Sequence, residues 1–217
     1  MPTIIAIEKQ KRRPRADVYL EGALIVTLRL DVIAIAKLEV GADLPHDRRK
    51  ELEAEDQRLT AVESALRLLA IMPRSEKDLR QRLKIRGLRS EAVDAAIIRM
   101  RELGYLDDTA FARFFVDARQ ASTPRSRRAL QFELSRKGVD RSIASEAVAE
   151  LSDADAAYDA AQRRMRALRN HDRQTFTRRL GNFLASRGFS YGVSRSAIDR
   201  CWSEVSADSQ VGELSDF

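Results

Sequence analysis

The residues of this sequence best suited to chemistry are its cations. Lys and Arg number 39 against 33 Asp and Glu, a net charge of +6. They are gathered in three places. Between 74 and 89, Arg74, Lys77, Arg80, Arg82, Lys84, Arg86 and Arg89 face only Glu76 and Asp78. Between 119 and 141 the basic set includes Arg125, Arg127, Arg128, Arg136 and Lys137, against Glu133 and Asp140. Between 163 and 187 it includes Arg163, Arg164, Arg178, Arg179 and Arg187, against Asp172 alone. Such clusters can neutralise phosphates or dock in an acidic protein groove. They can equally be solvated helix faces with i,i+4 pairs to nearby acids. No aromatic residue interleaves 74–89, which gives base stacking little support there. Phosphate contact without sequence readout is the more natural use.

Other chemistries find few candidates. A single cysteine, Cys201, excludes an internal disulfide and a thiolate zinc cluster. The two histidines, His46 and His171, lie far apart in sequence. No glycine-rich phosphate loop, dinucleotide fingerprint or nucleophile elbow is present. The expectation is therefore no cofactor, no metal and no enzyme activity. Asp107 and Asp108 lie between Tyr105 and Phe111, which reads as two core aromatics and a helix cap. Cys201 and Trp202 read as core packing, and His171 as exposed. The longest apolar run, Val32 to Ala36, is too short to span a bilayer. Basic residues follow the first apolar stretch rather than precede it, unlike a secretory leader, so a cytoplasmic location is expected.

The elements that carry these cations repeat. Leu79, Leu83, Gly87, Leu88, Ala96 and Ile97 recur as Leu130, Leu134, Gly138, Val139, Ala147 and Val148. They recur again as Leu180, Leu184, Gly188, Phe189, Ala197 and Ile198. Leucines four apart share a helix face. A glycine after a basic residue fits the left-handed position that ends a helix. Ser90, Asp140 and Ser190 are candidate N-caps for the helix that follows, and Ser75-Glu76-Lys77-Asp78 resembles a capping box. Each copy also has a leading helix, marked by Ala65-Leu66-Leu69, Phe111-Phe114-Phe115 and Tyr158-Ala161-Met165. The spacing predicts three tandem three-helix units, forming an elongated array, straight or curved. At about 20 Å per helix, three units side by side would reach roughly 60 Å.

The first residues read differently. Thr3 to Ile7, Val18 to Leu20 and Ala23 to Val26 are β-prone, with Glu21-Gly22 as a turn, predicting a three-stranded sheet. Val32, Ile33, Ile35, Ala36 and Leu38 predict a short covering helix that stops at Gly41. The expected organisation is a β-rich domain over 1–44, a solvated helical arm over 45–59, units over 60–106, 107–152 and 153–206, and a disordered tail over 207–217. The arm leads into a helix whose buried face is Leu52, Leu59, Val62, Leu66 and Leu69.

These residues carry a resemblance. Pro73-Arg74-Ser75 with Leu79, Leu83 and Gly87 precedes Glu102-Leu103-Gly104-Tyr105-Leu106-Asp107-Asp108 and Phe111-Ala112. Together they resemble the signature of RecX, the bacterial regulator of the RecA recombinase. Glu133 to Val139, with Leu134 and Gly138, is similar to the family's second repeat. Phe183 to Phe189, with Leu184 and Gly188, is similar to its third. Thr123-Pro124 departs from the family's Gly-Pro in copy two. The resemblance implies a non-enzymatic partner of the RecA–DNA filament that inhibits its ATPase, strand exchange and coprotease activities. Weak, non-sequence-specific DNA contact is expected from the basic clusters, and a monomer is the default. The competing reading is a stand-alone DNA-binding protein with helix-turn-helix-like units.

Overall fold

The computed structural model describes the backbone of residues 2–21 and 23–214, and the side chains of 2–21 and 26–206. The chain divides into two compact units. One comprises Met1–Arg74 and Asp78–Leu106, the other Ser75–Lys77 and Asp107–Phe217.

The first unit opens with strands β1 (Ile4–Lys9), β2 (Arg15–Leu20) and β3 (Ala23–Arg29), antiparallel in that order. Alternation along β2 buries Ala16, Val18 and Leu20. Gly22, in the expected turn, lies outside the described residues. Helix α1 (Leu30–Ile35) buries Val32 against the sheet and is shorter than the sequence predicts. It stops at Lys37, whose φ is +50°, not at Gly41. The amides of Lys37 and Leu38 donate back to Ala34 and Ile33, satisfying the orphan carbonyls in a Schellman turn. Gly41 bends the chain later and donates to the Ile4 carbonyl at 2.8 Å.

Helix α2 runs unbroken from His46 to Ile71. The expected arm over 45–59 keeps an exposed outer face and packs its inner one. Leu52 joins the sheet's core, and Asp56 is buried. The Asp56 carboxylate accepts from Arg15 Nη2 at 2.6 Å and from the Arg29 amide at 2.7 Å. The second half of α2 packs with α3 (Glu76–Ile85) and α4 (Ser90–Glu102). Its inward residues are Ala61, Ala65 and Leu68, so Leu66 is exposed where the sequence placed it inside. Small residues dominate that face, and an apolar period built on leucines alone passes over them. Leu79, Leu83, Ala96 and Ile97 fill this core as the repeat predicts.

The second unit holds α5 (Asp108–Ser122), α6 (Arg127–Arg136), α7 (Arg141–Ala147), α8 (Asp153–Met165), α9 (Arg173–Ser186) and α10 (Tyr191–Leu214). Leu130 and Leu134 centre one core, and Leu180 and Leu184 with Phe176 centre the other. Asp107, Ser126, Asp140, Ser152 and Asp172 each cap the helix that follows. Ser90 does not act as an N-cap; it is the first residue of α4, and Arg89 precedes it without a side-chain cap. Ser190 accepts from the Val193 amide at 3.4 Å. Helix α10 continues to Leu214, past the point where the period fades, and 215–217 lie outside the described residues.

The three repeat glycines take left-handed φ of +78°, +84° and +88° at Gly87, Gly138 and Gly188. After α6, Gly138 and Val139 donate back to Ser135 and Leu134; after α9, Gly188 and Phe189 donate to Ala185 and Leu184. The apolar residue behind each glycine then folds onto its helix, burying Val139 and Phe189. Within the second unit, Ser75 Oγ donates to the Lys137 carbonyl at 2.6 Å. The Ser126 amide donates to the Arg187 carbonyl at 3.2 Å. A basic residue's carbonyl thus meets a Pro-Arg-Ser segment twice, at homologous positions.

Candidate nucleic-acid interface

The structure sorts the sequence's cations into groups. Arg74 is only 9% exposed. Its Nε donates to the Leu68 carbonyl at 3.2 Å and its Nη1 to Asp78 at 2.8 Å. It closes the end of α2 and is not surface charge. Arg82 pairs with the same Asp78 at 2.9 Å, and Arg80 pairs with Asp94. Lys84 and Arg86 are exposed at the end of α3, with no ion pair among the described residues. Lys77 lies along Gly138, where an added Cβ would sit 2.3 Å from its Cδ.

In the second unit, Arg127, Arg128, Arg136 and Arg178 are exposed, with no side-chain ion pair among the described residues. Arg163 Nη1 donates to the carbonyls of Ala121 and Ser122, both at 2.9 Å, capping α5. Arg179 meets the half-buried His171 ring at 3.1 Å. The geometry gathers a smaller set. Arg187 stacks on the Phe183 ring at 3.7 Å, and Arg164 approaches the same ring at 5.9 Å. Burial, and then the charges of Arg125 and Arg164, push the Arg187 guanidinium below its ordinary range. Like charges crowded in this way favour a bound anion.

Beside Arg125 is an open groove of about 520 Å³, lined by Arg119, Arg125, Phe132, Arg136 and Lys137 among others. Arg119 and Arg125 each reach Glu133 at 3.0 Å, and Arg119 and Lys137 sit over Phe115 at 5.2 and 5.3 Å. Phe132, 65% exposed, is the aromatic that the sequence reading missed. The signal was available. Phe132 lies between Leu130 and Leu134, so about 200° of helical rotation separates it from each and puts it on the outer face. A basic groove with one exposed ring can hold a phosphate and stack one base.

The motif residues serve the scaffold. Leu79, Leu83, Leu134 and Leu184 are fully buried, with Leu106 and Phe111 nearly so. Gly104 takes φ +72°. The Asp107 carboxylate accepts from Thr109 at 2.7 Å and from Ala110 at 3.3 Å, as a cap should. Asp108 accepts from the Glu76 amide at 2.8 Å. Tyr105 is 60% exposed, against expectation. Leu106 takes the core place beside the Gly104 turn instead. Phe111 is core, Cys201 is buried, and Trp202 packs edge-on against Phe176 at 5.2 Å. Among the described residues, no group of three His, Cys, Asp or Glu could hold a metal ion. No described helix is long and apolar enough to cross a membrane.

Family models now bear on these three units. The model described as "RecX, first three-helix domain" matches 61–100, the second 107–148 and the third 152–198. The chain belongs to the RecX family. A "Regulatory protein RecX" of Amycolatopsis mediterranei is 34% identical over 74% of this chain and 94% of its own length. One from Chlorobium limicola is 31% identical over 68% of this chain and 92% of its own. A solved structure named "Crystal structure of regulatory protein RecX" superposes with a TM-score of 0.64. It covers 92% of this chain and all of its own, at 24% identity, which shows a shared fold. RecX relatives of this name are regulatory proteins, and this chain shares their regulatory class.

Proposed function

We propose that this RecX-family chain binds the RecA–DNA filament and inhibits its ATPase, strand exchange and coprotease activities, in DNA repair and the SOS response. The observation that carries the reading is the set of three in-register units, each matched by its own RecX domain model. The proposed contacts are the unpaired cations Lys84, Arg86, Arg127, Arg128, Arg136 and Arg178, and the Arg125, Arg164 and Arg187 cluster. Arg74 is left out because it closes α2. Each contact is weak, and contacts carried on one chain add through effective concentration. Held across filament subunits, the chain resists the motions that accompany ATP turnover. The protein acts as a cytoplasmic monomer without chemistry of its own.

Co-sedimentation at rising salt tests this reading. The protein pellets with RecA–single-stranded-DNA filaments at salt that releases it from naked duplex and naked single strands. Equal binding to naked duplex, with a steep salt slope, would instead mark a stand-alone DNA-binding protein.

A further inference from the structure

The three repeats treat the groove between their second and third helices differently. In the first, Arg80 of α3 pairs with Asp94 of α4 and bridges it. In the second, the same two positions are Gln131 and Ser145, which hydrogen-bond at 3.4 Å. In the third they are Gly181 and Arg195, and no bridge forms because glycine has no side chain to give. The result is a groove of about 630 Å³ between α9 and α10.

Three features suit this groove to a ligand. Gly181 lies inside α9, where glycine weakens a helix. Ser194 is only 5% exposed, its Oγ has no hydrogen-bond partner, and it lines the groove. Buried hydroxyls are seldom left so. Apolar Val93 and Ala144 hold the equivalent place in the other repeats. Lastly, Arg173, Arg178 and Arg195 rim an apolar floor of Ala185, Phe189 and Ile198. Against them stands Asp199, loosely paired at 3.7 Å with Arg173 and 3.9 Å with Arg195.

We infer that this groove docks an acidic segment of a partner protein, which seats an apolar side chain on the floor while its carboxylates meet the arginine rim. Asp199 and Ser194 decide for a peptide over a nucleic acid. A peptide brings backbone amides that a carboxylate and a hydroxyl can accept from, which offsets the repulsion between Asp199 and the segment's own carboxylates; a phosphate backbone meets the same repulsion and brings no such donor. This inference needs no recombinase, so its failure and that of the regulatory reading are separable.

The test is an array of short acidic peptides, Asp and Glu flanking each apolar residue type, beside lysine-flanked counterparts and an oligothymidylate. It is probed with the full chain and with Gly181→Leu. That variant keeps every charge, and a Cβ at 181 meets only Ile198 Cδ1, at 3.8 Å. The wild type is expected to bind members of the acidic set about tenfold more tightly than their lysine counterparts. Gly181→Leu loses that preference without a lower melting temperature. Arg178→Glu, at an exposed position, loses it too and guards against a folding artefact in the first variant. The proposal is overturned if no acidic peptide exceeds its lysine counterpart, or if Gly181→Leu binds as well as wild type. It is also overturned if the variant loses only the oligothymidylate.

Discussion

Asp78 sits between two guanidiniums in the first unit. Burial pushes its carboxyl up, but Arg74 at 2.8 Å and Arg82 at 2.9 Å outweigh that and hold it below the usual 3.8. A lowered carboxyl stabilises the fold above its unfolded value and loses that contribution as pH falls through the folded one. Asp78→Asn should therefore flatten the acid limb of the stability curve. At neutral pH it should cost about 3 kcal/mol in urea melts, because Arg74 keeps its charge in the interior without an anionic partner, only the Leu68 carbonyl remaining. An unchanged acid limb would contradict the pairing. Cys201 makes a second case. Burial, with Glu204 adding and Arg200 opposing, pushes its thiol up to about 11. It should resist thiol reagents in the native state and react only on unfolding; rapid native labelling would be inconsistent with its position. On the surface, Arg128→Ala with Arg136→Ala should leave melting unchanged. The change should flatten the salt slope of single-strand binding by about 0.7 per lost phosphate contact. An unaltered slope would remove both residues from the interface.

At the scale of the element, the repeat glycines do two things. All three end a helix in the left-handed region, which costs a non-glycine residue roughly 1–2 kcal/mol. Gly188 also faces Ser126 Oγ at 2.7 Å and Ala129 Cβ at 2.8 Å from where its own Cβ would lie, and Gly87 faces nothing. Gly87→Ala should therefore cost about 1 kcal/mol by denaturant melts, and Gly188→Ala about 3 kcal/mol as overpacking adds to strain. Equal losses would show that the close approach is unimportant. The sequence made these glycines, the paired leucines and the sheet legible because period and turn chemistry are local. It misled at α2, where Ala61 and Ala65 rather than leucines define the buried face and Asp56 is drawn inside by Arg15 and the Arg29 amide. It misled at Arg74 for the same reason. A basic residue in a basic run looks like surface until the tertiary partner, here the Leu68 carbonyl, is known. Of the candidate interface, the cations were legible as types. Their gathering around Phe183 and beside Phe132 depends on contacts between helices, which no spacing encodes.

At the scale of the whole chain, a net charge of +6 and three basic units favour association with a polyanion. A third of the residues are charged, and internal pairs occupy many of them, such as Arg80 with Asp94 and Arg113 with Glu146. The count of 39 Lys and Arg therefore overstates the interface, and the unpaired cations are its better measure. We propose that these cations act on the recombinase filament rather than on DNA alone. The most direct test is the single-stranded-DNA-dependent ATPase rate of RecA from the same organism, titrated with this protein. The rate should fall, with the Arg128→Ala, Arg136→Ala double variant needing more protein for the same inhibition. A rate unmoved by folded protein in excess over recombinase would contradict it.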